Sequence, residues 1–147
     1  YYCGTINILS PNNWMDINKN DDIENIYREN GPHIHEFIHF IVDEKTKGNY
    51  PLWLTEGIAL YMEEMLLGSS WNLGIGETDK ITIEYLDKNF TKMEVGLAYR
   101  KSYELTRGMI DKYGFGNFNQ LLDSLGQGRN IEKSVKIAFK TEFSEIK

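Results

Sequence analysis

The stretch Gly31-Pro32-His33-Ile34-His35-Glu36-Phe37-Ile38-His39 contains every histidine of the chain. It predicts a helix that runs to about Asp43, since proline is tolerated in a first turn, where its missing N–H would be unpaired anyway. His35 and His39 are four residues apart, so both imidazoles project from one helical face and can bind a single ion. Glu36 follows His35 and is well placed to reach a metal-bound water without ligating the metal.

The alternative interpretation of this pattern is a helix with two structural histidines and a solvated glutamate. Histidine is scarce in this chain, which has only 3. A chance H-E-x-x-H would therefore arise in roughly a few of every thousand such chains. We therefore favour a metal site.

A catalytic zinc ion needs a third protein ligand and an open fourth position. The next helix, predicted over Leu52–Leu67 and ended by Gly68, supplies Glu56 in an apolar neighbourhood. A carboxylate there needs a partner, because an unpaired buried charge is costly. Glu63 and Glu64 are alternative ligands, but they lie two turns further along, where glutamate pairs more often form a solvated face.

Length, composition and charge indicate a single globular domain. The 147 residues fit one compact domain over residues 1–147, and a hydrophobic share of 41% is ordinary for a globular protein. A net charge of −6 argues against a nucleic-acid partner, which would need a basic face. No apolar run is long enough to span a bilayer. The chain opens with Tyr1 and no initiator methionine, as a piece of a longer precursor would.

The remaining patterns predict an α+β fold that is mostly helical. A short N-terminal strand region is followed by the two helices that carry the candidate ligands and by a C-terminal helical bundle. The strand is Thr5–Leu9, ended by Ser10-Pro11. Helices are expected over Ile23–Tyr27, Ile83–Lys88, Val95–Tyr113 (closed by Gly114), Asn117–Leu125 (closed by Gly126) and Ile131–Phe139 (capped by Asn130), with one more starting at Thr141.

The H-E-x-x-H pattern and the downstream segment Trp53-Leu54-Thr55-Glu56-Gly57-Ile58-Ala59 together resemble the gluzincin metallopeptidases, most closely the small peptidase MA-like domains. The resemblance covers most of the chain. It implies a zincin-like fold and one zinc ion on His35, His39 and Glu56, with Glu36 activating water as the general base. It also implies a peptide or protein substrate, and it favours an exported or cell-surface bacterial protein.

The sequence departs from the thermolysin-like branch of that family in two places. Residues 40–55 separate His39 from Glu56, slightly fewer than in that branch. Leu60 stands one turn after Glu56, where that branch has an acidic residue that orients a ligand histidine. The partner of the zinc ligands is therefore unassigned from the sequence.

Peptide hydrolysis also needs a donor to the oxyanion, and with no fourth histidine a tyrosine is favoured. Tyr99-Arg100-Lys101-Ser102-Tyr103 is similar to the aminopeptidase-type segment whose first tyrosine is that donor, which selects Tyr99. Tyr103 is the alternative, and both tyrosines would also fit as core aromatics. Gluzincins have an edge strand above the zinc cleft, so the resemblance implies that Ile6, Asn7 and Ile8 bind the extended substrate, unless this is an ordinary sheet edge.

Two other functions fit a fold of this kind. One is a non-catalytic binding or regulatory module, which loss of Glu36 or of a ligand would indicate, and neither is lost. The other is a zinc-stabilised structural domain, but structural sites use four protein ligands, usually with cysteine. The sequence therefore favours a zinc-dependent peptidase.

Overall fold

A computed structural model of the chain describes residues 32–68 and 77–147, which are mostly helical and contain no strand. The helices are α1 (His33–Thr46), α2 (Leu52–Leu67), α3 (Ile83–Asn89), α4 (Val95–Gly126) and α5 (Ile131–Phe139), with 3-10 turns at Phe90–Lys92 and Phe143–Glu145. The predicted strand Thr5–Leu9 and helix Ile23–Tyr27 lie outside the described residues. Within the described ranges, no helix is both long and apolar enough to traverse a bilayer.

Helices α1 and α2 form a hairpin whose ends follow local signals. Pro51 has an extended backbone and precedes α2, and Gly68 ends α2 in the left-handed region at φ 68°. Helix α1 extends beyond Asp43, where the sequence predicted its end, because the left-handed turn comes only at Lys47, with φ 58°. The predicted bounds of α2 are confirmed, and those of α1 were one turn short.

Helix α4 unites two helices that the sequence predicted separately. The backbone of Gly114 is non-helical, with φ 79° and ψ 157°, so the element is kinked where a break was expected. A positive φ of this kind suits glycine, which has no Cβ. The helix predicted from Thr141 is wrong. A 3-10 turn at Phe143–Glu145 stands there instead, because Phe143 and Ile146 are buried and hold the chain against the core.

Helix α2 runs through the centre of the core. Trp53 is 0% exposed, and its Nε1 donates to Asp87 Oδ1 of α3 at 2.8 Å. A Cβ on Gly57 would lie 2.3 Å from both the Ser102 carbonyl oxygen and Thr106 Oγ1 of α4. Only glycine therefore allows α2 and α4 to approach this closely, and the approach fixes Glu56, the residue before Gly57.

Candidate metal centre

Helix α1 places His35 and His39 on the side that faces α2, as the four-residue spacing requires. Their ring centroids are 4.6 Å apart, and the ring planes make an angle of 82°. His39 is buried and His35 is mostly buried. The two imidazoles therefore lie side by side, largely shielded from solvent, where α1 faces α2.

Glu56 approaches both rings from α2. Its Oε2 lies 3.1 Å from His35 Nε2 and 3.6 Å from His39 Nε2. Each of the three residues offers one donor atom, and these atoms all lie within 4.8 Å of one another. Ligands that hold zinc tetrahedrally at about 2.0–2.1 Å are separated from one another by about 3.3 Å. The two distances from Glu56 bracket that value, and the widest separation of 4.8 Å would have to shorten for all three donors to hold one ion. Two imidazoles and a carboxylate are a donor set that suits a divalent metal ion such as zinc.

The ring nitrogens that face away from Glu56 are also engaged. Glu63 Oε2 lies 3.1 Å from His35 Nδ1, and Thr55 Oγ1 lies 2.7 Å from His39 Nδ1. Glu63, an alternative ligand in the sequence analysis, is thus placed behind His35 rather than among the three converging donors. Thr55 was not predicted to take part in the site, since a threonine in an apolar helix gives no distinct signal.

The ionisable side chains of this cluster shift one another's pKa values towards their charged forms. Burial by itself lowers the pKa of His35, but hydrogen bonds with Glu56 and Glu63 more than offset this and raise it from 6.5 to about 9. Burial raises the pKa of Glu56, but hydrogen bonds with His35 and His39 bring it down to about 2. These shifts favour the charged forms of both groups, and a divalent cation at this position would compete with the proton for Nε2 of His35.

Tyr99 of α4 faces this cluster from a third side. Burial raises the pKa of its hydroxyl to about 12, together with the charge and hydrogen bonding of Glu56 and the charge of Glu36. The hydroxyl therefore stays protonated and able to donate near neutral pH. Its ring is stacked against Phe90, with centroids 5.9 Å apart.

Tyr103, the alternative to Tyr99, has other partners. Its hydroxyl donates to Glu64 Oε2, and Arg107 Nη1 donates to the same hydroxyl at 2.9 Å. Glu64, the other alternative ligand, is thereby engaged away from the histidines. The two tyrosines are four residues apart on one helix, so only their tertiary surroundings distinguish them.

Glu36 is half-buried on α1 beside His35, and its charge acts on the Tyr99 hydroxyl. The structure thus brings the predicted base, ligands and oxyanion donor to one region, while their roles in catalysis stay predictions. The predicted substrate-binding residues Ile6, Asn7 and Ile8 lie outside the described residues.

Comparison with known proteins adds an independent finding. A family model described as the Peptidase MA superfamily matches residues 14–146, which include the α1–α2 hairpin and Tyr99. No curated protein and no solved structure matches the chain significantly.

Proposed function

The chain belongs to the Peptidase MA superfamily, and from that premise we propose that it is a zinc-dependent peptidase of the gluzincin type. The strongest support is the convergence of His35, His39 and Glu56, whose donor atoms lie within 4.8 Å of one another. Two imidazoles and one carboxylate leave a fourth position open for a reactant, which is the arrangement of catalytic rather than structural zinc sites. When bound there, zinc would supply Lewis acidity, lowering the pKa of a water and polarising a carbonyl.

Glu36 is the general base of the proposed reaction. It lies next to His35 on α1 and is not among the three converging donors, so the proposed role of its carboxylate is proton transfer and not metal binding. It takes one proton from the attacking water as the oxygen bonds to the peptide carbonyl carbon. It then gives that proton to the leaving nitrogen as the C–N bond breaks. The products are a carboxylic acid and an amine, which exchange a proton to become a carboxylate and an ammonium group.

Tyr99 is the proposed donor to the oxyanion. Because its pKa is raised to about 12, the hydroxyl keeps its proton across the neutral range. A hydroxyl held in place by packing against Phe90 stabilises the developing negative charge without reorganising during the reaction. Peptides or proteins are the substrate class that this chemistry serves.

The test combines metal analysis with cleavage of a mixed peptide library, before and after chelation and after zinc is restored. We expect one zinc per chain, loss of cleavage on chelation and recovery with zinc. Replacing Glu36 by glutamine should keep the zinc and lower kcat by at least about 100-fold, the typical contribution of general acid–base catalysis. Glu44→Gln, on an exposed position of the same helix, is the matched control and should leave kcat unchanged.

Three results would contradict the proposal in different ways. Full activity in the Glu36→Gln variant would exclude the mechanism. Cleavage that survives chelation would exclude the role of the metal. Tight zinc binding without cleavage of any library peptide would favour the non-catalytic binding module.

A further inference from the structure

We infer that Glu63 is a positioning residue that fixes the orientation and tautomer of the ligand His35. The inference rests on the proposed metal site. It concerns the residue that the sequence left unassigned, the partner that holds a zinc ligand from behind. The contact that carries it is the 3.1 Å separation of Glu63 Oε2 from His35 Nδ1.

The contact determines which nitrogen of His35 can bind a metal. Glu63 lies behind the ring, away from the other two donors, so its carboxylate accepts a hydrogen bond from Nδ1–H when the opposite nitrogen binds a cation. In the neutral ring this leaves the lone pair on Nε2, the atom that faces Glu56 at 3.1 Å. Glu63 therefore holds the ring with its coordinating nitrogen directed at the other two donors. A carboxylate in this position also makes the imidazole a stronger ligand.

The register of α2 explains why Glu63 can reach the ring. Seven residues are nearly two full turns, so Glu56 and Glu63 project from almost the same face of α2 towards α1. Leu60, one turn after Glu56, is 2% exposed and has no polar atom on its side chain to hold the ring. Helix α2 thus provides a ligand with one glutamate and an orienting group with the next on that face.

Burial argues that Glu63 has a specific role. Its side chain is 2% exposed, and a carboxylate removed from water is costly unless it is paired and hydrogen-bonded. An exposed glutamate at this position would avoid that cost but could not reach His35.

The two candidate histidine ligands are held differently, and this difference gives the inference a graded test. His39 Nδ1 faces a neutral hydroxyl, Thr55 Oγ1, at 2.7 Å. Hydrogen bonds to ionised groups are roughly twice as strong as neutral ones. Loss of Glu63 should therefore weaken zinc binding more than loss of Thr55.

The experiment measures zinc affinity of the folded protein by competition with a chromophoric chelator. Glu63→Leu should weaken binding by about 10- to 100-fold, the usual cost of removing a partner of a metal-ligating histidine. Glu63→Gln, which can still accept from Nδ1–H, should fall between that variant and the wild type, and Thr55→Val should lose less than Glu63→Leu. The matched control is Glu64→Gln, which contacts Tyr103 and should bind zinc as the wild type does.

Cobalt substitution separates a positioning role from a purely structural one, because the absorption of bound Co²⁺ depends on how its ligands are arranged. The visible absorption of bound Co²⁺ should shift in the Glu63 variants and stay unchanged in Glu64→Gln. Wild-type zinc affinity and an unshifted cobalt spectrum in Glu63→Leu would overturn the inference. If the leucine variant does not fold, the same two results in Glu63→Gln would overturn it. Undiminished zinc binding in His35→Ala would instead overturn the metal site itself.

Discussion

Replacement of Gly57 by alanine tests how closely α2 and α4 must approach to form the site. The added Cβ would lie 2.3 Å from the Ser102 carbonyl oxygen and 2.3 Å from Thr106 Oγ1, whereas ordinary contact begins at 3.4 Å. One obstacle is backbone and cannot rotate away, so the helices must move apart locally by up to 1.1 Å, the difference between these distances.

The net effect on stability follows from two opposing contributions. Alanine is the better helix former by about 1 kcal/mol. Overpacking typically costs about 1–3 kcal/mol and occasionally more, and a backbone obstacle puts this site at the upper end. We therefore expect a net loss of about 2 kcal/mol in the free energy of unfolding. At about 2–4 °C per kcal/mol for a chain of this size, Tm should fall by about 4–8 °C.

Thermal unfolding followed by circular dichroism measures this loss, and chelator competition measures whether zinc affinity falls as Glu56 is displaced. Gly116→Ala is the matched control, because Gly116 lies exposed on α4, the helix that Gly57 contacts, and its added Cβ would meet no atom within 4 Å. The control should be neutral or stabilising by up to about 1 kcal/mol. If Gly57→Ala were as stable as Gly116→Ala, the close approach of the helices would be refuted.

Two further substitutions test separate parts of the structure. Tyr99→Phe should lower kcat by about 100- to 1,000-fold with zinc content unchanged, whereas Tyr103→Phe should keep its activity. Steady-state kinetics and metal analysis of both variants measure this. A larger loss of kcat in Tyr103→Phe than in Tyr99→Phe would contradict the assignment. Glu94 accepts hydrogen bonds from the backbone N–H groups of Gly96 and Leu97, which lower its pKa from 4.5. The charge therefore stabilises the fold above that pH, so urea denaturation should find Glu94→Gln less stable at pH 7, with the difference vanishing as the pH falls through the lowered pKa. A difference independent of pH would contradict this origin.

Local signals explain why much of the helical architecture could be predicted. Pro51 and Gly68 mark the start and the end of α2 through their own backbone preferences, and Gly114 marks the kink of α4 through its positive φ. The Thr141 prediction failed because it rested on local helix-start signals alone, which tertiary packing can override. There, burial of Phe143 and Ile146 decides the conformation.

In the candidate site, too, some features follow from local sequence and others depend on tertiary packing. The pairing of His35 with His39 is set by the pitch of one helix, so sequence spacing is enough to predict it. The roles of Glu63 and Tyr103 depend on which side chain of another helix lies opposite. Glu63 could have been a ligand by type and spacing, and only the packing of α2 on α1 places it at Nδ1 of His35.

Every proposed zinc ligand, and both groups behind the histidines, belong to one helical hairpin, α1 and α2, joined by a short turn. Little chain entropy is lost in bringing such neighbouring helices together. The proposed oxyanion donor, in contrast, comes from α4, far along the sequence. Retention of the ion and turnover are therefore separable in this architecture. On the proposed function, a change that moves only the Tyr99 side chain, and not the α4 backbone packed on Gly57, would leave the zinc bound and stop hydrolysis.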